Sequence, residues 1–185
     1  MDVTGVVLAA GAGSRAGGPK ALRRTEDGTP WLEIACAALH DAGCREVIIV
    51  LGAEADAALA LVPRGALPVV ATDWQDGQAA SLRVGLAAAA TSSTDAVLLT
   101  LVDLPEQTAA AGRRVLDAAV DDPRGTLARA HYDGEPGHPV LMGRDHWGDI
   151  AATIVGDMGA RDYLVRHLTV EVDCSDLGGG ADRDD

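Results

Sequence analysis

One stretch of this chain is built to hold an anion. It runs Leu8-Ala9-Ala10-Gly11-Ala12-Gly13-Ser14-Arg15-Ala16-Gly17-Gly18-Pro19-Lys20, directly after the apolar run that begins at Gly5. Glycines after a buried strand let backbone N–H groups approach a phosphate closely, and Arg15 and Lys20 add two positive charges to the same loop. A diphosphate or triphosphate suits that combination. The spacing Gly11-x-Gly13-x-x-Ala16 also fits a dinucleotide fingerprint. Against it, Gly17-Gly18-Pro19 stops a helix from following at once, and Val50-Leu51-Gly52 stands where an acidic ribose ligand is expected. Lys20 is not in the Gly-Lys-Ser/Thr context of a P-loop.

A second feature is Asp103. It ends the apolar run Ala96-Val97-Leu98-Leu99-Thr100-Leu101-Val102. The carboxyl edge of a parallel sheet is where α/β proteins bind ligands. A carboxylate there can hold a Mg2+ ion that also bridges phosphate oxygens.

The elements that must position these groups alternate. Strands are expected at Gly5–Ala10, Glu46–Leu51, Pro68–Thr72 and Ala96–Val102. Helices are expected at Pro30–Ala42 (capped by Thr29), Ala53–Leu61, Gln78–Ala90 and Glu106–Val120. Shorter strands at Thr126–Tyr132 and His138–Met142 flank a Gly/Pro turn, with His138 beside Pro139 at that turn. Short helices near Asp145–Ile154 and Ala160–His167 and a last strand at Thr169–Asp173 complete the chain. Continuous apolar strands alternating with helices imply a three-layer α/β/α sandwich around a mostly parallel, Rossmann-like sheet. Residues 1–177 read as one domain. The Gly178-Gly179-Gly180 run predicts a mobile acidic tail over 178–185.

Composition narrows the class. The chain has 185 residues, 15 Lys+Arg against 28 Asp+Glu, and a formal net charge of −13. That balance excludes the basic stripe needed for nucleic acid and the basic patch needed for anionic lipid. No apolar run approaches the length of a membrane span. The positive charge is concentrated: residues 1–25 carry a local +3 and residues 171–185 a local −5. The chain lacks Phe altogether, so the core must come from Ala, Val, Leu and Ile. The three cysteines, Cys36, Cys44 and Cys174, form no C-x-x-C pair. With no export signal at the start, they point to a reducing cytoplasm and to thiols without chemistry.

At this point the motifs resemble a family. Leu-Ala-Ala-Gly-x-x-x-Arg-x-Gly-x-Pro-Lys is similar to the signature of sugar-nucleotidyltransferase-like enzymes, in particular the molybdenum cofactor nucleotidyltransferases. Four further segments follow in the family's order: Asp73-Trp74 to Gly77 with Ser81-Leu82-Arg83-x-Gly85-Leu86, then Val102-Asp103-Leu104-Pro105, Gly137-His138-Pro139-Val140-Leu141, and Gly156-Asp157-Met158-Gly159-Ala160-Arg161. The resemblance spans residues 5 to about 170. It implies a nucleotide-diphospho-sugar transferase-like fold with one antiparallel strand in the sheet.

It also implies roles. Leu8, Ala9, Ala10, Gly11 and Gly13 would hold the nucleotide with Lys20 and Ser81; Ser81 reads equally as a helix-face serine. Arg15, Lys20 and Asp103 would be catalytic. Asp103 would hold Mg2+ together with a C-terminal carboxylate, here Asp182 with Asp184 in reserve, although the tail lacks the family's Thr-Pro. His138 and Arg161 would face the acceptor. In this family Ala-Ala before the glycine accompanies cytidylyl transfer, so CTP is expected, with GTP the alternative. The acceptor would be the molybdopterin cofactor or another phosphorylated metabolite. An NAD-binding domain and a non-catalytic nucleotide-binding relative are the competing readings.

Overall fold

The computed structural model describes residues 1–13 and 17–181. Arg15, Asp182 and Asp184 therefore lie outside the described residues.

Seven strands form one sheet: β1 (Val3–Ala9), β2 (Glu46–Leu51), β3 (Leu67–Val70), β4 (Ala96–Leu101), β5 (Leu127–Tyr132), β6 (Glu135–Gly143) and β7 (Thr169–Asp173). Their order across the sheet is β3-β2-β1-β4-β6-β5-β7. β6 runs antiparallel to both neighbours, β4 and β5, and every other pairing is parallel. The expected single antiparallel strand is therefore β6. Its register sets Leu99 opposite Val140 and Val97 opposite Met142.

Helices α1 (Trp31–Ala42) and α4 (Ala109–Asp117) cover one face, packing on Val7, Leu98 and Leu141. Helices α3 (Gln78–Ala89), α5 (Trp147–Thr153) and α6 (Arg161–Arg166) cover the other, packing on Val6, Leu99, Val140 and Met142. The alternation Val6-Val7-Leu8 within β1 sends neighbouring side chains to opposite cores, because successive strand residues face opposite ways. Each fully buried Leu or Ile contributes about 1.5–3 kcal/mol. Small residues substitute for the absent Phe by close approach. A Cβ on Gly85 of α3 would stand 2.9 Å from Val6 Cγ1, so only glycine lets that helix sit so near β1.

Several boundaries differ from the sequence expectations. The helix expected from Glu106 starts at Ala109, with Thr108 Oγ1 accepting from the Ala111 N–H at 3.3 Å. Gln107 turns inward to accept from the buried Thr100 hydroxyl, and this tertiary bond displaces the first helical turn. Thr29 is not the cap of α1; Pro30 occupies that position with an extended backbone. The second helix, α2, shortens to Ala55–Leu59. His138 lies within β6 rather than in a turn.

All three cysteines are free and buried, and burial pushes the Cys36 and Cys44 thiols up to about 12. They stay protonated and unreactive. Among the described residues no helix is long and apolar enough to cross a membrane.

Candidate functional site

The site forms where β1 and β4 end. The Ala10 carbonyl, one residue beyond β1, accepts from the Ala53 N–H at 2.9 Å, and the Leu8 carbonyl accepts from the Val102 N–H at 3.1 Å. These bonds anchor the end of β1 from which the glycine-rich loop departs. Gly13 adopts a left-handed φ of 57°, and the Gly18 N–H closes the loop onto the Gly13 carbonyl at 3.1 Å. Pro19 then leads into a single 3-10 turn, Lys20–Leu22, and no α-helix begins before Trp31. The loop thus lacks the helix that a dinucleotide fingerprint requires at this position.

Lys20 returns over the sheet edge. Its Nζ donates to Asp103 Oδ2 at 2.8 Å, with both side chains less than one-fifth exposed. The other carboxylate oxygen, Asp103 Oδ1, is buried and has no hydrogen-bond partner among the described residues. A buried oxygen carrying part of a negative charge is costly when unpaired, so it marks a place for a cation or a donor.

Around this pair opens a cleft of about 380 Å3. Leu8, Ala9, Ala10, Gly11, Gly13, Lys20, Ser81 and Asp103 all line it. Eight of the residues expected to handle a nucleotide are therefore brought together. Ser81 lies in the first turns of α3 and is only 4% exposed, so its hydroxyl faces the cleft rather than bulk water.

A second cleft of about 390 Å3 adjoins the first, and Leu8, Gln78 and Asp157 line both. His138 and Arg161 lie in this second cleft, apart from the phosphate loop. Its wall is apolar at Leu82, Leu99, Val140, Met142 and Leu164. Burial holds the His138 imidazole down to about 4; nearby Asp103 opposes the shift and Arg129 reinforces it. His138 is consequently neutral near pH 7 and can accept a hydrogen bond.

The wall between the clefts depends on a glycine. Gly77, at the start of α3, has φ 99°, and a Cβ there would lie 2.5 Å from Gly156 and 2.6 Å from Asp157 Oδ1. The Gly156–Met158 turn is seated on that vacancy, which sets the Asp157 carboxylate beside the N-terminus of α3. The helix dipole favours a negative charge there.

Gln78, Asp157, Trp74 and Arg129 line the clefts but carry no role in the sequence reading. Arg129 had a signal. It is a lone charge in the run Leu-Ala-Arg-Ala, and a charge in a buried strand requires a partner. Past Ser175 the chain returns to the same edge: a Cβ on Gly179 would meet the Glu106 carbonyl at 2.3 Å, and Gly180 backs onto the Tyr132 ring. Among the described residues no three His, Cys, Asp or Glu side chains group to hold a metal.

Known proteins resemble this chain along most of its length. Residues 5–172 match the MobA-like NTP transferase domain. Nicotine blue oxidoreductase of Paenarthrobacter nicotinovorans is 37% identical, covering 98% of this chain and 92% of that protein. The crystal structure of Rv0371c from Mycobacterium tuberculosis H37Rv superposes with a TM-score of 0.80 at 33% identity, covering 94% of this chain and 88% of that one. A structure of Rv0371c in complex with manganese superposes with a TM-score of 0.77 at 30% identity and the same coverage.

Proposed function

The chain belongs to the MobA-like NTP transferase family, and from that premise we propose that it transfers CMP from CTP to the terminal phosphate of the molybdenum cofactor. In the reaction an acceptor phosphate oxygen attacks the α-phosphorus in line. The α-phosphorus–oxygen bond to the β-phosphate breaks, and pyrophosphate leaves with the bonding electrons. No side-chain nucleophile is needed, since positioning and charge stabilisation carry such transfers.

The observation that carries this reading is the Lys20–Asp103 pair in the first cleft, which a second cleft adjoins across Leu8, Gln78 and Asp157. Backbone N–H groups from Gly11 to Gly13 cradle the phosphates. Lys20, with Arg15, neutralises charge that develops on the α-phosphate. Ser81 meets the base or sugar. The Ala10 methyl narrows the base pocket in favour of a pyrimidine, with GTP as the alternative donor. His138 and Arg161 hold the acceptor in the second cleft, which a phosphorylated metabolite other than the molybdenum cofactor can also fill.

A divalent metal fits the residues present. The unpartnered Asp103 Oδ1 offers a hard oxygen donor, which suits Mg2+ or Mn2+. Asp182, which lies outside the described residues, is the proposed second carboxylate. Such a metal supplies charge neutralisation on phosphate oxygens when bound.

The deciding experiment measures pyrophosphate release from CTP, GTP and ATP with Mg2+ and purified molybdenum cofactor. Release from CTP that depends on the cofactor supports the reading; no release with any nucleotide overturns it.

A second reading is favoured by the 37% identity to a protein named an oxidoreductase. In that reading a reduced nicotinamide dinucleotide would pass a hydride to the second substrate, which takes a proton from water, and it would be held without the loop-to-helix cradle of the dinucleotide fingerprint. Thermal stabilisation by NADPH without metal separates this reading from stabilisation by CTP with metal.

A further inference from the structure

Arg129 occupies an unusual position for a charged residue. Leu127 belongs to the core on the α3 side, while Ala128 and Ala130 face the opposite core. Arg129 therefore shares the α3 face with Leu127, and it lines the second cleft at 9% exposure. β5 and β7 pair in parallel with Arg129 directly opposite Glu171. Nε donates to Glu171 Oε2 at 3.2 Å and Nη2 donates to Oε1. A guanidinium carries five N–H donors in a fixed plane. This fork uses one edge and leaves Nη1 with no hydrogen bond among the described residues.

The two partners of the pair are unequally placed. Glu171 is 43% exposed at the side chain and Arg129 only 11%. Water screens the carboxylate, while the guanidinium acts at shorter range inside the cleft. Arg161 adds a second cation to the lining; Glu135 and Asp157 are its acids. Asp157 and Glu135 are both exposed, so water screens their charges, whereas the Arg129 guanidinium is buried. Leu82, Leu99, Val140 and Met142 would leave the hydroxyls of a polyol unpaired.

We infer that Arg129, oriented by Glu171, receives an anionic group of the second substrate, and that this substrate carries its anion on a largely apolar body. The inference rests on the reading of the second cleft as the acceptor site. Glu171 is a positioning residue: it holds the guanidinium plane so that Nη1 faces the ligand.

The test uses phenyl phosphate as probe, followed by calorimetric titration of the full chain. Arg129→Gln is expected to weaken phenyl phosphate by about tenfold or more, the usual effect of losing a hydrogen bond to a charged group. Arg129→Lys keeps the charge but not the fork, and it is expected to weaken binding by less. Glu171→Gln is expected to weaken binding with a smaller change in melting temperature than Arg129→Gln. Lys20→Met, in the first cleft, is expected to weaken phenyl phosphate by less than Arg129→Gln. Inorganic phosphate is expected to bind more weakly than phenyl phosphate.

No phenyl phosphate binding, or equal binding by the wild type and both Arg129 variants, overturns the inference. Loss through Lys20→Met alone also overturns it. A purely structural staple between β5 and β7 would move melting temperature and leave phenyl phosphate affinity intact. If Arg129→Gln fails to fold, Arg129→Lys carries the same comparison. Titration of CTP with Mg2+ on the same protein separates the two claims. Absent CTP binding with intact Arg129-dependent phenyl phosphate binding defeats nucleotidyl transfer alone; the reverse pattern defeats this inference alone.

Discussion

Lys20 Nζ stands 2.8 Å from Asp103 Oδ2, joining residues 83 positions apart in the chain. One cation and one anion thus neutralise each other at the centre of the cleft. Nucleotide transfer requires both groups to act on phosphate instead. Lys20→Ala and Asp103→Ala are each expected to lower pyrophosphate release by about a thousandfold, the scale of losing one preorganised electrostatic group. Melting temperatures measured alongside kcat separate this loss from misfolding. Near-normal turnover in either folded variant contradicts the roles assigned.

The same pair predicts an order of binding. The Lys20 ammonium already lies on Asp103, so Mn2+ alone meets a site with its charge satisfied. A nucleotide that draws Lys20 to its phosphates frees the carboxylate. Manganese titrations followed by electron paramagnetic resonance are expected to show weak binding to the protein alone and tighter binding with CTP. Lys20→Met is expected to raise affinity for Mn2+ in the absence of nucleotide. Unchanged affinity in that variant contradicts the competition.

Ala10 offers a test of base choice. It lines the nucleotide cleft and is 4% exposed. Removing one methyl from a well-packed pocket changes discrimination by about tenfold to two-hundredfold. Ala10→Gly is expected to raise kcat/KM for GTP relative to CTP by about tenfold. Competition assays with both nucleotides present measure the ratio directly.

Gly52 supports Ala10 from behind. A Cβ on Gly52 would stand 2.5 Å from the Ala10 carbonyl oxygen and 2.8 Å from Trp74 Cβ, and neither position can yield without moving backbone. Gly52→Ala is expected to destabilise the fold by about 1–3 kcal/mol, the cost of overpacking. It should also weaken CTP, because Ala10 must shift. Urea unfolding and nucleotide titration check the two effects separately.

His138 predicts a pH dependence. Burial holds the imidazole down to about 4, below its ordinary value near 6.5, so the fold resists protonating it. Above about pH 6.5 the residue is neutral in both states and has no effect. Between about 6.5 and 4 the unfolded chain takes up a proton that the folded chain does not, so stability falls as pH falls. The full loss is of the order of 3 kcal/mol, reached below about pH 4. Urea unfolding of the metal-free protein at several pH values is expected to show a shallower decline for His138→Gln than for the wild type.

The first cleft's lining by the glycine-rich loop, Lys20 and Asp103 was legible because the signals are local: glycines, a cation, and a carboxylate ending an apolar run. β7 was legible to the residue, Thr169–Asp173, since its alternation stands clear of its neighbours. The start of α4 was not, because it depends on the Thr100–Gln107 bond, which sequence spacing does not reveal. Nor was the Arg129–Glu171 fork, whose partners are 42 positions apart and meet only once β7 joins the edge of β5. His138 was placed near the acceptor by resemblance, but its strand backbone and its lowered pKa come from tertiary packing.

The two faces of the sheet divide labour. Leu82, Leu99, Val140 and Met142 form part of both the α3-side core and the acceptor cleft, whereas neither cleft reaches the α1–α4 core beyond the sheet edge at Ala9 and Val102. Mutational tolerance should therefore be lopsided. On the α1–α4 face, volume-conserving exchanges at Leu32, Leu39 or Val115 change abundance and turnover in proportion. On the α3 face, equally mild exchanges alter substrate preference before abundance. Divergence of specificity among descendants of this chain is thereby channelled into a single helix layer, while the other layer drifts under selection for folding alone.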